Sequence, residues 1–111
     1  MDTSTLDNYR QELRRGVLVI ACLEALRMRD YGYGVLARLG DARLSVEGNT
    51  VYPLLRRLEA QGALTSTWDR SGARARRYYA TTPDGAALGD ELLRSFRDLA
   101  DSVDALRGSR A

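Results

Sequence analysis

Apolar residues return along the first part of the chain at spacings of four and three. Leu13, Val17, Ile20 and Leu23 mark one face of an amphipathic helix, and Leu18, Ala21, Ala25 and Leu26 widen it. The pattern predicts a helix from about Tyr9 to Met28, after a polar, frayed start over Met1 to Asn8. A helix apolar over so wide an arc is usually covered on two sides, here by the domain core and by a partner subunit. Asp30-Tyr31-Gly32-Tyr33-Gly34 then breaks the period as a turn, with Asp30 as the cap of a short helix from about Tyr33 to Leu39 that stops at Gly40. Leu44-Ser45-Val46 reads either as a short strand or as part of the next turn. Val51, Leu55 and Leu58, with Leu54 beside them, place the apolar face of a third helix from about Asn49 to Gln61, ended by Gly62. With Asn49 as its N-cap, Pro53 would cost only the first bond inside that helix.

Two β-like segments follow, Ala63 to Asp69 and Arg76 to Thr82, rich in Thr and aromatic residues and joined by the polar turn Arg70 to Ala75. They predict a hairpin with a basic tip. Thr82-Pro83-Asp84 is a helix start: a Thr cap, Pro at the first position and a carboxylate in the first turn. Beyond it Leu88, Leu92, Phe96, Leu99, Val103 and Leu106 recur at spacings of four, four, three, four and three. The last five form an a/d-type stripe on a helix too long to lie wholly on so small a domain. The stripe is therefore expected to meet a second copy of the chain, against the alternative that it folds back on its own core. The candidate dimer residues are Leu13, Val17 and Ile20 of the first helix with Leu92, Phe96, Leu99, Val103 and Leu106 of the last.

Three helices followed by a two-stranded basic hairpin have the layout of a winged helix-turn-helix, whose second motif helix enters the major groove of DNA. The fold class expected is mostly α with a small β-hairpin: a winged helix-turn-helix DNA-binding domain over residues 9–82 and a C-terminal dimerisation helix over 83–107. With Val51, Leu55 and Leu58 inward, the residues Asn49, Thr50, Pro53 and Arg56 point away from the core and Tyr52 flanks them. Asn can bond adenine bidentately, Arg can bond guanine, and Thr or Tyr can reach phosphate or base. The bland alternative is a solvated helix surface; for Arg57 an ion pair with a nearby carboxylate is an equal alternative. Tyr33, at the start of the shorter helix, suits a phosphate grip or ordinary packing of a helix start.

Charge changes the picture by its location rather than its total. The 111 residues carry a formal charge of only +2, and every one of the 17 basic residues is Arg. Between Arg43 and Tyr79, however, seven Arg face three acids, a net +4, while the rest of the chain holds ten Arg against twelve acids, a net −2. Positive charge gathered on the third helix and the hairpin suits a phosphate backbone. All-Arg usage fits bidentate phosphate contacts and equally fits codon bias.

The absence of His removes the commonest general base and the His-containing triads, and one Cys without His makes no usual zinc site and no internal disulfide. No catalytic residue, metal site or cofactor is expected. The adjacent Asp90 and Glu91 point to different faces of the last helix, so paired-carboxylate catalysis is not expected either. Cys22, in an apolar run, reads as a small buried hydrophobe with a redox sensor as the minor alternative. No segment approaches the ~18 apolar residues of a membrane span, and Gly16 to Leu26 lacks the flanks of a signal peptide, so a cytoplasmic location without membrane association is expected.

The string GNTVYPLLRRLEAQGAL over residues 48–64, preceded by DYGYGVLARL and followed by RRYYATTPDG, resembles the PadR family of bacterial transcriptional regulators. The resemblance runs from about Leu13 to Leu106. It implies a homodimeric winged helix-turn-helix on double-stranded DNA, often a repressor released by a small molecule or by stress, and of the short subclass with a single C-terminal helix. Carried over by position, it puts Tyr33, Asn49, Thr50, Tyr52, Pro53 and Arg56 at the DNA and Arg74, Arg76 and Arg77 in the wing. The chain departs from the family at Gly34, where Glu is common, and at Thr81, where an aliphatic residue is usual. Some members stack aromatic drugs on a Trp of the last helix. Here Phe96 is the sole aromatic on that helix and the one Trp is Trp68 in the hairpin, so that drug site is not carried over and Phe96 is expected in the dimer core. The reading from another class is a winged-helix protein-interaction module that does not read DNA; the basic hairpin argues against it.

Overall fold

The computed structural model describes residues 1–108. Its elements run α1 (Thr3–Ala25), β1 (Asp30–Tyr31), α2 (Gly32–Asp41), α3 (Gly48–Ala60), β2 (Leu64–Asp69), β3 (Arg76–Thr81) and α4 (Pro83–Gly108). Four helices and a small antiparallel sheet make the winged helix-turn-helix with a long terminal helix that the order of elements predicted. α1 starts at Thr3, ahead of the Tyr9 expected from the period. Asp2 caps α1 by accepting the Thr5 N–H at 2.8 Å, and this bond, with the Ser4 hydroxyl, holds the Asp2 carboxyl below its ordinary range.

The core lies where α1, α2, α3 and the sheet meet. Leu23, Leu26, Val35, Val51, Leu55 and Leu58 are fully or almost fully buried, so the faces read from periodicity on α2 and α3 are the inward ones, whereas α1 turns Leu18, Cys22 and Leu23 inward and leaves Leu13 exposed and Val17 and Ile20 half-buried. Cys22 is fully buried among them. Burial pushes its thiol up to about 11, the behaviour of a packed hydrophobe.

The helix ends correct the sequence reading in three places. Asp30 is not a cap: Tyr31 occupies that position without a side-chain bond, while the Asp30 carboxylate accepts the Tyr31 N–H at 2.8 Å and lies 3.6 Å from Arg38. Gly40 does not stop α2. The left-handed residue is Arg43, at φ 64°, and the Arg43 and Leu44 N–H groups bond the carbonyls of Gly40 and Leu39 at 3.0 and 2.8 Å, a Schellman ending without glycine. Third, Glu47 rather than Asn49 precedes α3. Pro53 therefore sits in the second turn and leaves the Asn49 carbonyl without its i+4 helical donor, on an exposed face open to solvent. The end of α3 is as expected: Gly62 has φ 82°, and the Gly62 and Ala63 N–H groups bond Glu59 and Leu58 at 3.0 and 2.9 Å. Leu44 to Glu47 forms neither strand nor helix.

β1 lies where the sequence predicts a turn. It adds to the hairpin as a third strand, in the order β1-β3-β2, pairing Asp30 with Tyr79 and Tyr31 with Tyr78. Two residues carry no period of their own, so only the free edge of β3 reveals them. The Thr82 cap is present: its hydroxyl accepts the Gly85 N–H at 3.0 Å. Thr81 departs from an aliphatic residue for a visible reason, since its hydroxyl donates to the Leu23 carbonyl at 2.7 Å and ties the sheet to α1.

α4 packs most closely on the rest of the chain at its glycines, while its apolar stripe from Phe96 onward stays exposed. Gly85 and Gly89 are its buried residues, with Gly89 against Leu23. The ion pair of Arg27 with Asp90, at 2.8 Å, fastens the same turn to the end of α1. The molecule measures 61 × 34 × 22 Å, because the far half of α4 projects beyond the domain.

Candidate nucleic-acid interface

On α3 the burial of Val51, Leu55 and Leu58 leaves Asn49, Thr50, Tyr52, Pro53 and Arg56 exposed on one outward face. Tyr52 is also structural. A Cβ added to Gly32 or to Gly48 would come within 2.7 Å of its ring, so the ring fills the space between the first turns of α2 and α3. Glycine at both positions is what lets the two helices of the motif start beside one another.

Successive residues of β3 turn to opposite faces of the strand, and this separates the two wing arginines. Arg76 donates to the Tyr33 hydroxyl at 2.9 Å and lies over the Tyr31 and Tyr33 rings at 5.1 and 5.6 Å. Tyr31 in turn stacks on Tyr78 at 3.9 Å and on Tyr33 at 5.6 Å, and Arg29 covers the Tyr78 ring at 4.0 Å. Arg77 points the other way, toward α3. It pairs with Glu59 of α3 at 2.7 Å and donates to Ser66 at 2.9 Å, while Ser66 also bonds Glu59. Among the described residues Arg57, for which an ion pair is one of two alternatives, makes none; the arginine paired with a carboxylate of α3 is Arg77, which braces the wing against that helix.

Between α2, α3 and the wing lies a groove of about 380 Å³. Arg56, Arg74 and Arg76 line it with Tyr33 and Tyr52, and the braced Arg77 forms part of its wall. Of the residues singled out at the DNA, this groove gathers all but Asn49, Thr50 and Pro53, which stay on α3 beside it. The sequence reading missed Arg29, Tyr78 and Asp69. The signal for them was the alternation in Arg-Arg-Tyr-Tyr, which becomes informative only once β1 is known to pair with β3.

Asp69 anchors the wing at the other end. It accepts the Ser71 hydroxyl at 2.6 Å and the Ser71 N–H at 3.0 Å, and the Tyr31 hydroxyl at 2.9 Å. These donors, Ser71 foremost, hold its carboxyl at about 2. A depressed folded-state value stabilises the fold above the unfolded value and loses that contribution as pH falls through the folded one. The Asp69 contribution is thus expected to be complete above pH ~4 and to fade toward pH ~2. Urea midpoints followed from pH 5 to 2 check this: the acid loss is expected to be shallower in Asp69→Asn than in the parent.

A second cluster lies between α1 and α4. Leu13, Val17 and Ile20 face Leu92, Phe96, Leu99 and Val103 across an apolar groove of about 530 Å³. Leu13 and Leu99 are 74% and 67% exposed in the single chain, an apolar surface open to solvent. Leu106 lies further along α4 and is also exposed. Among the described residues no cluster of His, Cys, Asp and Glu could hold a metal ion, and no helix is long and apolar enough to cross a membrane.

Comparison with known proteins places this geometry. A family model described as the transcriptional regulator PadR-like family matches residues 22–91. The crystal structure of a PadR family transcriptional regulator from Eggerthella lenta is similar at 42% identity and a TM-score of 0.89, over 93% of this chain and 92% of that one. A PadR-like transcription factor from Bacteroides fragilis is similar at 31% identity and a TM-score of 0.75, over 89% of this chain and 98% of its own. Bacillus subtilis PadR, in complex with operator DNA, shares the fold at 24% identity and a TM-score of 0.63, over 69% of this chain and 45% of that one. Among curated proteins, transcriptional regulator Rv3488 of Mycobacterium tuberculosis is 45% identical over 58 residues, which are 52% of this chain and 54% of the relative. The match therefore spans about half the length of that relative.

Proposed function

Because the chain belongs to the PadR-like family of transcriptional regulators, we propose that it acts as a homodimeric repressor that reads double-stranded DNA in sequence-specific fashion. The observation that carries this reading is the exposed face of α3 set directly beside the Arg and Tyr groove. α3 enters the major groove, where Asn49, Thr50 and Arg56 reach base edges. Arg74, Arg76 and Tyr33 take the phosphates at its side, and Tyr52 and Arg77 hold the reading helix in place for them. The operator complex of the Bacillus subtilis relative supports DNA as the partner.

Two chains join through the apolar faces of α1 and α4 and present two reading helices to an inverted repeat. Half-site centres lie about one helical turn apart, ~10 bp, or a multiple of it. Repression follows from occupying the promoter. An effector lodged at the helix pair would release the operator by changing the angle between the two reading heads.

The test is a gel shift on DNA upstream of the chain's own gene, with scrambled DNA as competitor. A complex that survives competition is expected. Thr50→Ala and Arg56→Ala are each expected to weaken it by roughly 10–100-fold, the ~1–3 kcal/mol of a lost base contact, while the dimer elutes unchanged. No complex at low salt would transfer the fold to a protein-interaction role.

A further inference from the structure

A second polar cleft, of about 530 Å³, opens on α3 away from the wing. Its wall on one side is α1, with Gln11, Arg14 and Arg15; on the other stand Ser45, Asn49 and Thr50. One acid, Glu47, shares the cleft, so its charge remains positive. Arg14 and Arg15 are exposed, and neither makes an ion pair among the described residues, whereas the neighbouring Arg10 lies 3.6 Å from Asp7. On the helical wheel of α3, Tyr52 and Arg56 fall on one side of the outward face and Thr50 on the other. The two grooves share no lining residue.

The major groove is ~12 Å wide and a helix with its side chains is ~10–12 Å across, so a helix seated there has a sugar-phosphate strand on each flank. Tyr33, Arg74 and Arg76 serve one flank. We infer that Arg14 and Arg15 of α1 serve the other, clamping the phosphates of the opposite strand across the cleft from Thr50. This rests on the DNA-binding reading above. It makes α1 a two-faced element: Leu13, Val17 and Ile20 toward α4, Arg14 and Arg15 toward DNA.

The experiment measures Kd against salt concentration by fluorescence anisotropy for the intact chain, Arg14→Gln, Arg15→Gln, the double variant, and Arg76→Gln as the control on the wing flank. Each phosphate contact removed is expected to lower the slope of log K against log salt by ~0.9. Because a phosphate contact carries no sequence information, operator and scrambled DNA are expected to weaken by the same factor. Helical content and dimer elution are expected to match the parent. An unchanged slope in the double variant, with a lowered one in Arg76→Gln, overturns the inference and leaves the DNA-binding reading standing. A slope that falls only together with loss of the dimer overturns it too. An intact chain that forms no competitor-resistant complex fails the DNA-binding reading itself, and the inference with it.

Discussion

Gly85→Val is expected to be the most damaging single change in the chain. A Cβ on Gly85 falls inside the van der Waals shell of the Ala63 carbonyl oxygen, 2.8 Å from its carbon and 3.0 Å from Thr81 Cγ2. The obstacle is backbone, not a side chain that can swing away, and that backbone is tied down. Ala63 closes α3 through its N–H to Leu58 at 2.9 Å, and its carbonyl accepts the Thr82 N–H at 3.1 Å. The Thr82 hydroxyl both donates to the Gly62 carbonyl at 2.6 Å and accepts the Gly85 N–H. To make room, α4 must leave the domain and give up these bonds together. The expected loss is at least ~3 kcal/mol, above the usual cost of an overpacked site and a large share of the ~5–15 kcal/mol that holds a domain folded. Urea unfolding measures it. Gly40→Ala is the control: its new Cβ meets only Ser45 Oγ, at 3.9 Å, and a helical Gly-to-Ala change there is expected to stabilise by ~0.5–1 kcal/mol. Equal stability of Gly85→Val and the parent would show that α4 does not sit at this distance.

Leu99→Asp is expected to give a folded monomer that no longer holds an operator. Leu99 lies in the middle of the apolar groove between α1 and α4 and is 67% exposed in the single chain, so an Asp there leaves the monomer's own core untouched. In the proposed dimer the same position is covered, and each dimer carries the change twice. At about 2–3 kcal/mol for each buried leucine lost, association weakens by ~10³–10⁴-fold before the burial of the carboxylates is counted. Sedimentation across a concentration series reads this directly, with far-UV circular dichroism to show the helices intact. The contrast with Thr50→Ala is the informative part, since that change spares the dimer and weakens the complex. A Leu99→Asp chain that sediments as a dimer would move the interface off the α4 stripe.

Much of this was legible in the chain because helical periodicity is a local signal. The spacing of Val51, Leu55 and Leu58 alone fixed which face of α3 is inward, and hence that Asn49, Thr50 and Arg56 are outward. Thr82-Pro83-Asp84 determined where α4 begins, and Gly62 where α3 ends, because caps and left-handed turns depend on a few neighbouring residues. The tertiary structure decided what depends on residues far apart. The edge of β3 made a strand of Asp30-Tyr31. Glu59 paired with Arg77, which stays partly exposed, across 18 residues of sequence. The core turned Gly85 and Gly89, not the leucine stripe, toward the domain, because only residues without side chains permit α4 to approach this closely. The same packing brought Arg14 and Arg15 beside the start of α3, though their own stretch of sequence reads only as the polar side of a helix. A period shows which way a side chain points; what it meets there is set by distances between elements, which only the assembled fold fixes.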